Sequence, residues 1–131
     1  MTSVTITGAG GFLGQHLTSY LKTTGISVAP VSRRSLPGMF QVKDYTQTPG
    51  DQILLHLAEE SDRGKVNNLG ESYLESSVHG VEVLSKRFQK IIYMSSNVVY
   101  GDENDGLCAI DFPVVGSDIY SRLKIENERT V

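Results

Sequence analysis

The segment Thr7-Gly8-Ala9-Gly10-Gly11-Phe12-Leu13-Gly14 constrains this chain more than any other. It sits between a β-branched run, Val4 to Thr7, and a stretch in which Phe12, Leu13, His16, Leu17, Tyr20 and Leu21 recur at helical spacing up to Gly25. That order reads as strand, tight turn, helix. Glycines at 8, 11 and 14 each answer a separate physical need. Gly8 permits the tight turn, Gly11 lets backbone amides approach a pyrophosphate, and Gly14 lets the helix pack close to the strand. The first helical turn, which includes Phe12 and Leu13, then directs unpaired N–H groups and the positive end of the helix dipole at the phosphates. The expectation is a dinucleotide-binding turn that uses Gly8, Gly11, Phe12, Leu13 and Gly14.

The rest of the chain continues the alternation. Ile26 to Ser32 reads as a second strand, 33–38 as a loop, and Met39 to Tyr45 as a third strand. Ile53 to Ala58 is a nearly continuous apolar run, the pattern of a strand buried on both faces of a parallel sheet. Glu59 to Asn68 is polar and reads as a loop. Leu69 to Phe88 carries Leu74, Val78, Val81, Leu84 and Phe88 on a helical stripe, Lys90 to Ser95 reads as a fifth strand, Asn97 to Asp118 as a surface loop, and Tyr120 opens a last helix. Strands alternating with helices predict an α/β domain, a doubly wound parallel sheet of the Rossmann type with about five strands. One connection breaks the rule, because Thr46 to Gln52 is too short for a helix. Extended, it reaches about 25 Å, enough to cross three strand spacings of about 4.8 Å.

At 131 residues the chain accommodates one domain, residues 1–131. The 12 Lys and Arg against 15 Asp and Glu leave a net charge of −3, which argues against nucleic acid or an anionic membrane as a partner. No apolar run approaches the roughly 20 residues of a bilayer span. The single cysteine, Cys108, offers neither an internal disulfide nor a zinc-ligand set, and a reducing cytoplasm fits best. No metal site is expected.

Site chemistry is concentrated at strand ends. Where many dinucleotide sites carry an acidic residue for the adenosine ribose, this chain has Ser32, followed by Arg33 and Arg34. Serine and arginine hydrogen-bond and neutralise a 2′-phosphate that a carboxylate would repel, so NADP is expected in preference to NAD. Asp44, beside Tyr45, is placed to accept a hydrogen bond from the adenine amino group. Tyr120 and Lys124 stand at i and i+4 on one helix face, and a positive charge beside a phenol favours its phenolate and makes it a usable acid or base. Ser95 and Ser96 end a buried strand and supply a hydroxyl to orient a substrate. His56 is expected in the core or the cofactor wall, and His16, His79 and Cys108 are assigned no chemistry.

Taken together, TGAGGFLG (7–14), LHLA (55–58), MSSNVVYG (94–101) and YSRLK (120–124) resemble the extended short-chain dehydrogenase/reductases, the nucleotide-sugar epimerase and dehydratase group. The resemblance implies Ser96 as the catalytic hydroxyl, Tyr120 as acid/base, Lys124 as a nicotinamide-ribose ligand, and Leu57 and Ala58 against the cofactor. The family's helix asparagine, three residues before a glycine, falls on Ser77 before Gly80. Family members are usually more than twice this length, so the C-terminal substrate domain is expected to be absent. The expected activity is epimerisation, dehydration or reduction of a nucleotide sugar, incomplete in this chain; a non-catalytic dinucleotide-binding module or a truncated fragment is the alternative. An uncovered fifth strand would also favour a homo-oligomer.

Overall fold

The computed structural model describes residues 1–103 and 106–131. Five strands form one parallel sheet in the order β3-β2-β1-β4-β5: β1 Ser3–Thr7, β2 Ser27–Ser32, β3 Phe40–Gln41, β4 Ile53–His56 and β5 Lys90–Tyr93. The helices are α1 Phe12–Thr23, α2 Arg63–Leu69, α3 Glu71–Ser85 and α4 Ile119–Thr130. The expected Rossmann-type sheet is therefore present.

Strand alternation sorts the core. Val4 and Ile6 of β1 and Ile53 and Leu55 of β4 pack with Leu17 and Leu21 of α1, while Leu54 packs with Leu84, Phe88 and Ile91 on the opposite face. Val66, Leu74 and Leu123 join α2, α3 and α4 in a third cluster. The chain runs outward from β1 to β3, then crosses back to the other side of β1. The short connection spans those three strand spacings with one 3-10 turn, Tyr45–Gln47. The reversal opens a crevice beyond the carboxyl ends of β1 and β4, the place where ligands enter open α/β sheets.

Several sequence expectations need correction. The third strand, expected over Met39 to Tyr45, pairs only through Phe40 and Gln41, because the chain then turns at an Asp44-capped 3-10 turn. The stretch Glu59 to Asn68 is not all loop: Asp62 accepts a hydrogen bond from the Lys65 N–H and starts α2. The helix expected over Leu69 to Phe88 is broken at Gly70, whose φ of 72° ends α2 and precedes α3. The loop expected over Asn97 to Asp118 begins with a 3-10 turn, Asn97–Tyr100, and its Asn104 and Asp105 lie outside the described residues.

The glycine turn shows why α1 lies so close to the sheet. A Cβ on Gly14 would stand 2.4 Å from the Gly8 carbonyl oxygen and 2.6 Å from the Ala9 Cα, both backbone atoms that cannot yield alone. Helix propensity by itself favours alanine over glycine by about 1 kcal/mol. Gly14→Ala is nevertheless predicted to lower stability by about 1–3 kcal/mol in urea denaturation, through overpacking against that turn. A gain in stability would show that α1 has room to move away.

Candidate dinucleotide cleft and acid-base pair

The crevice is a cleft of about 710 Å³. Gly8, Gly10 and Gly11 floor it near β1, Ser32, Arg33, Arg34, Asp44 and Tyr45 line one end, and Leu57, Ala58, Glu59 and Ser77 line the other. Gly8 is at φ 70°, and a Cβ there would meet the Leu57 carbonyl carbon and oxygen at 2.9 Å, so the turn and the end of β4 are in backbone contact. A Cβ on Gly11 would meet only the Gly8 carbonyl oxygen, at 3.3 Å. The surface at Gly11 is thus kept open toward the cleft rather than filled by protein.

At the end of β2, Ser32 is buried and its Oγ accepts the Arg34 N–H at 3.0 Å. The Arg34 guanidinium folds back to donate to the Gly10 carbonyl at 3.2 Å, which also accepts the Gln15 side-chain amide at 2.8 Å. Arg33 lies 5.6 Å from the Tyr45 ring centroid, a cation–π contact. Asp44 takes the Thr46 N–H and hydroxyl, which hold its carboxyl below the ordinary range. Of the expected cofactor residues, Gly14 is buried behind the turn, and the side chains of Phe12 and Leu13 are 80% and 47% exposed and stay out of the cleft lining. What Phe12 and Leu13 bring is the backbone of the first helical turn.

Tyr120 and Lys124, the expected acid-base pair, lie beyond β4 and β5. Lys124 Nζ is 5.4 Å from the Tyr120 ring centroid and 5.0 Å from that of Tyr93, and it donates to the Met94 carbonyl at 3.0 Å and to Glu59 Oε1 at 2.6 Å. The Lys124 and Glu59 side chains are only 6% and 7% exposed, so this is a buried ion pair. Glu59 also accepts from the Tyr93 hydroxyl at 2.8 Å, and from Ser77 and the Asn127 amide at 3.0 Å each. Burial, with the Glu59 charge added, pushes the Tyr93 phenol well above its ordinary value. Ser96 caps the 3-10 turn that follows β5, accepting the Val98 N–H at 3.4 Å, and no hydrogen bond joins it to Tyr120 among the described residues. The geometry therefore brings Tyr120 and Lys124 together and leaves Ser96 at the neighbouring strand end.

The start of α4 is held by a second network. Asp118 caps the helix at the Ser121 N–H and receives the Arg63 guanidinium at 2.6 Å and the Asn67 amide at 3.0 Å, while the Asn67 carbonyl accepts the Tyr120 N–H at 3.0 Å. Burial pushes the Asp118 carboxyl up, but these donors outweigh it and hold the group well below the usual carboxylate range. Arg63 reaches on to both oxygens of Asp102, at 2.9 and 2.7 Å.

Residues 4–131 match the NAD dependent epimerase/dehydratase family. The chain belongs to that family. It is 24% identical to a UDP-glucose 4-epimerase of Dictyostelium discoideum and 23% identical to UDP-glucose 4-epimerase 2 of Oryza sativa subsp. japonica, covering 93% and 94% of this chain but only 44% and 38% of those proteins. Among solved structures, MoeE5 in complex with UDP-glucose and NAD is 27% identical with a TM-score of 0.82, over 98% of this chain and 47% of that one. The UDP-glucose 4-epimerase of Bifidobacterium longum in complex with NAD+ and UDP has a TM-score of 0.84 at 21% identity, over the same shares. Among the described residues no helix is long and apolar enough to cross a membrane.

Within this epimerase/dehydratase fold, sequence reasoning missed Glu59, Tyr93 and Asn127. The only available signal was a carboxylate directly after LHLA. Ser77 reaches Lys124 through Glu59.

His56 joins the cleft wall to the core, as expected. It is 6% exposed, its Nδ1 lies 2.8 Å from the Thr7 hydroxyl, and its ring stacks on Tyr93. Burial pushes its pKa down, Glu59 opposes, and Lys124 adds to the lowering. The folded state therefore holds the imidazole neutral while the unfolded chain binds a proton near the ordinary value of about 6.5. Stability should be fully present above that pH and fall as pH drops from about 6.5 toward the lowered folded value. The urea midpoint of the native protein is predicted to decline more between about pH 7 and about pH 5 than that of His56→Asn. Parallel declines would show that His56 takes up its proton freely in the fold.

Proposed function

We propose that this chain is the NADP(H)-binding part of an epimerase, dehydratase or reductase that acts on a nucleotide sugar. The observation that carries the reading is the Lys124 ammonium, buried 5.4 Å from the Tyr120 ring at the same end of the sheet as the glycine turn. The absence of protein side chains over Gly11 and the close backbone contact of Gly8 with Leu57 fit a bound pyrophosphate. When bound, the nicotinamide supplies hydride acceptance and return. Tyr120 exchanges the proton of the sugar hydroxyl, Lys124 supplies positive charge beside it and a donor toward a ribose hydroxyl, and Ser96 orients the substrate oxygen. The MoeE5 structure, with UDP-glucose and NAD, supports the substrate class.

NADP is favoured over NAD on the end of β2. Ser32, Arg33 and Arg34 line the cleft there, and none of the three is acidic. The outer edge of β5, which no strand pairs among the described residues, and the exposed Ile92 and neighbouring Met94 support self-association, and free Cys108 fits the cytoplasm.

Titration of the purified chain tests the cofactor assignment. NADPH is expected to bind more tightly than NADH, and Arg33→Ala with Arg34→Ala to weaken NADPH by about 1–3 kcal/mol while leaving NADH nearly unchanged. Equal losses would remove the specificity. Gly11→Val is expected to retain the fold, since a Cβ there meets only one protein atom, and to abolish binding of both dinucleotides. Undiminished binding to the folded variant would place the pyrophosphate elsewhere.

A further inference from the structure

One buried charge has no part in the reading above. The Glu59 carboxylate accepts Lys124 Nζ and the Tyr93 hydroxyl at Oε1, and the Ser77 hydroxyl and the Asn127 amide at Oε2. Those four donors fill the lone-pair sites of an ionised carboxylate. Glu59 also lines the dinucleotide cleft beside Leu57, Ala58 and Ser77. Among the described residues it is the one side chain that both faces the cleft and bonds Lys124.

We propose that Glu59 is a positioning residue, which holds the Lys124 ammonium beside Tyr120 and links it to the occupied state of the dinucleotide cleft. The inference rests on the reading of Lys124 as the partner of Tyr120. A lysine ammonium is a strongly hydrated point charge on a flexible stem, and it stays in a nearly dry site only with a counter-charge and fixed acceptors. Glu59 and the Met94 carbonyl provide these for two of its three hydrogens. The third has no oxygen acceptor among the described residues, and the Tyr93 and Tyr120 rings lie 5.0 and 5.4 Å from Nζ. Ser77 and Asn127 bond the carboxylate and act on Lys124 only by fixing Glu59, whereas Tyr93 bonds the carboxylate and also lays its ring 5.0 Å from Nζ.

Two measurements on the 131-residue chain test this. In proton–nitrogen NMR of the labelled protein, the buried and bonded Lys124 ammonium should give a slowly exchanging cross-peak, assigned by its loss in Lys124→Met. It should vanish in Glu59→Gln, which keeps the side-chain shape and removes the charge. An unchanged signal in Glu59→Gln would overturn the proposal. Should Glu59→Gln fail to fold, Ser77→Ala and Tyr93→Phe carry the same test: a displaced ammonium signal supports it and an unmoved one overturns it.

The second measurement is NADPH affinity in a double-mutant cycle. Glu59→Gln and Lys124→Met should each weaken binding about tenfold, and the double variant by no more than about tenfold, because both act through one ammonium. Independent losses multiplying to about a hundredfold would make Glu59 a mere structural tie and overturn the proposal. A wild-type chain that shows the Glu59-dependent ammonium signal but fails to bind NADPH would refute the cofactor reading and leave the positioning role standing.

Discussion

A carboxylate taken out of water needs donors for both oxygens and a positive charge nearby, and the helical side of this domain is arranged around meeting that demand at Glu59. The donors come from α3, β5 and α4, through Ser77, Tyr93, Lys124 and Asn127. The ion pair thus fixes the rotation of α4 about its axis as well as its distance from the sheet. Apolar packing of Leu123 against Val66 and Leu74 allows some sliding, whereas a 2.6 Å contact does not. The placement of Tyr120, one turn before Lys124, follows from that fixed rotation.

The glycine turn imposes the complementary constraint on the other face. Because the backbones of Gly8 and Leu57 touch, the ends of β1 and β4 are held together where the sheet reverses direction. The cleft therefore has a rigid floor between two crowded backbones, while Arg33 and Arg34 stand exposed at one end of it and Glu59, paired with the buried Lys124 behind it, lines the other. Its two ends differ physically: one offers solvated positive charge, and the other a neutralised pair inside a hydrogen-bond network.

α2 shows how a polar segment becomes structural. Its sequence, RGKVNNL, buries only Val66 and carries no usable apolar stripe, so it reads as loop. Its helix is justified by the Asp62 cap and by what its polar residues reach: Arg63 bridges Asp102 and Asp118, and Asn67 bonds both Asp118 and the Tyr120 backbone. These contacts seat the first turn of α4 and so set where the tyrosine begins.

What the sequence determined by itself was local. Strand, glycine turn and helix at 4–25, the apolar run at 53–58 and the i, i+4 spacing of Tyr120 and Lys124 are each encoded within a few residues, because dihedral freedom, periodicity and helical pitch act at short range. These were enough for the sheet type and for the residues of the glycine turn. Glu59 was not legible in this way: it sits in a polar stretch that reads as solvated, and its partners lie 18, 34, 65 and 68 residues away. The same holds for Arg63, whose partners are 39 and 55 residues distant. Only the tertiary structure decided these, since a buried charge selects its partners through the packing of whole elements, which no local pattern records.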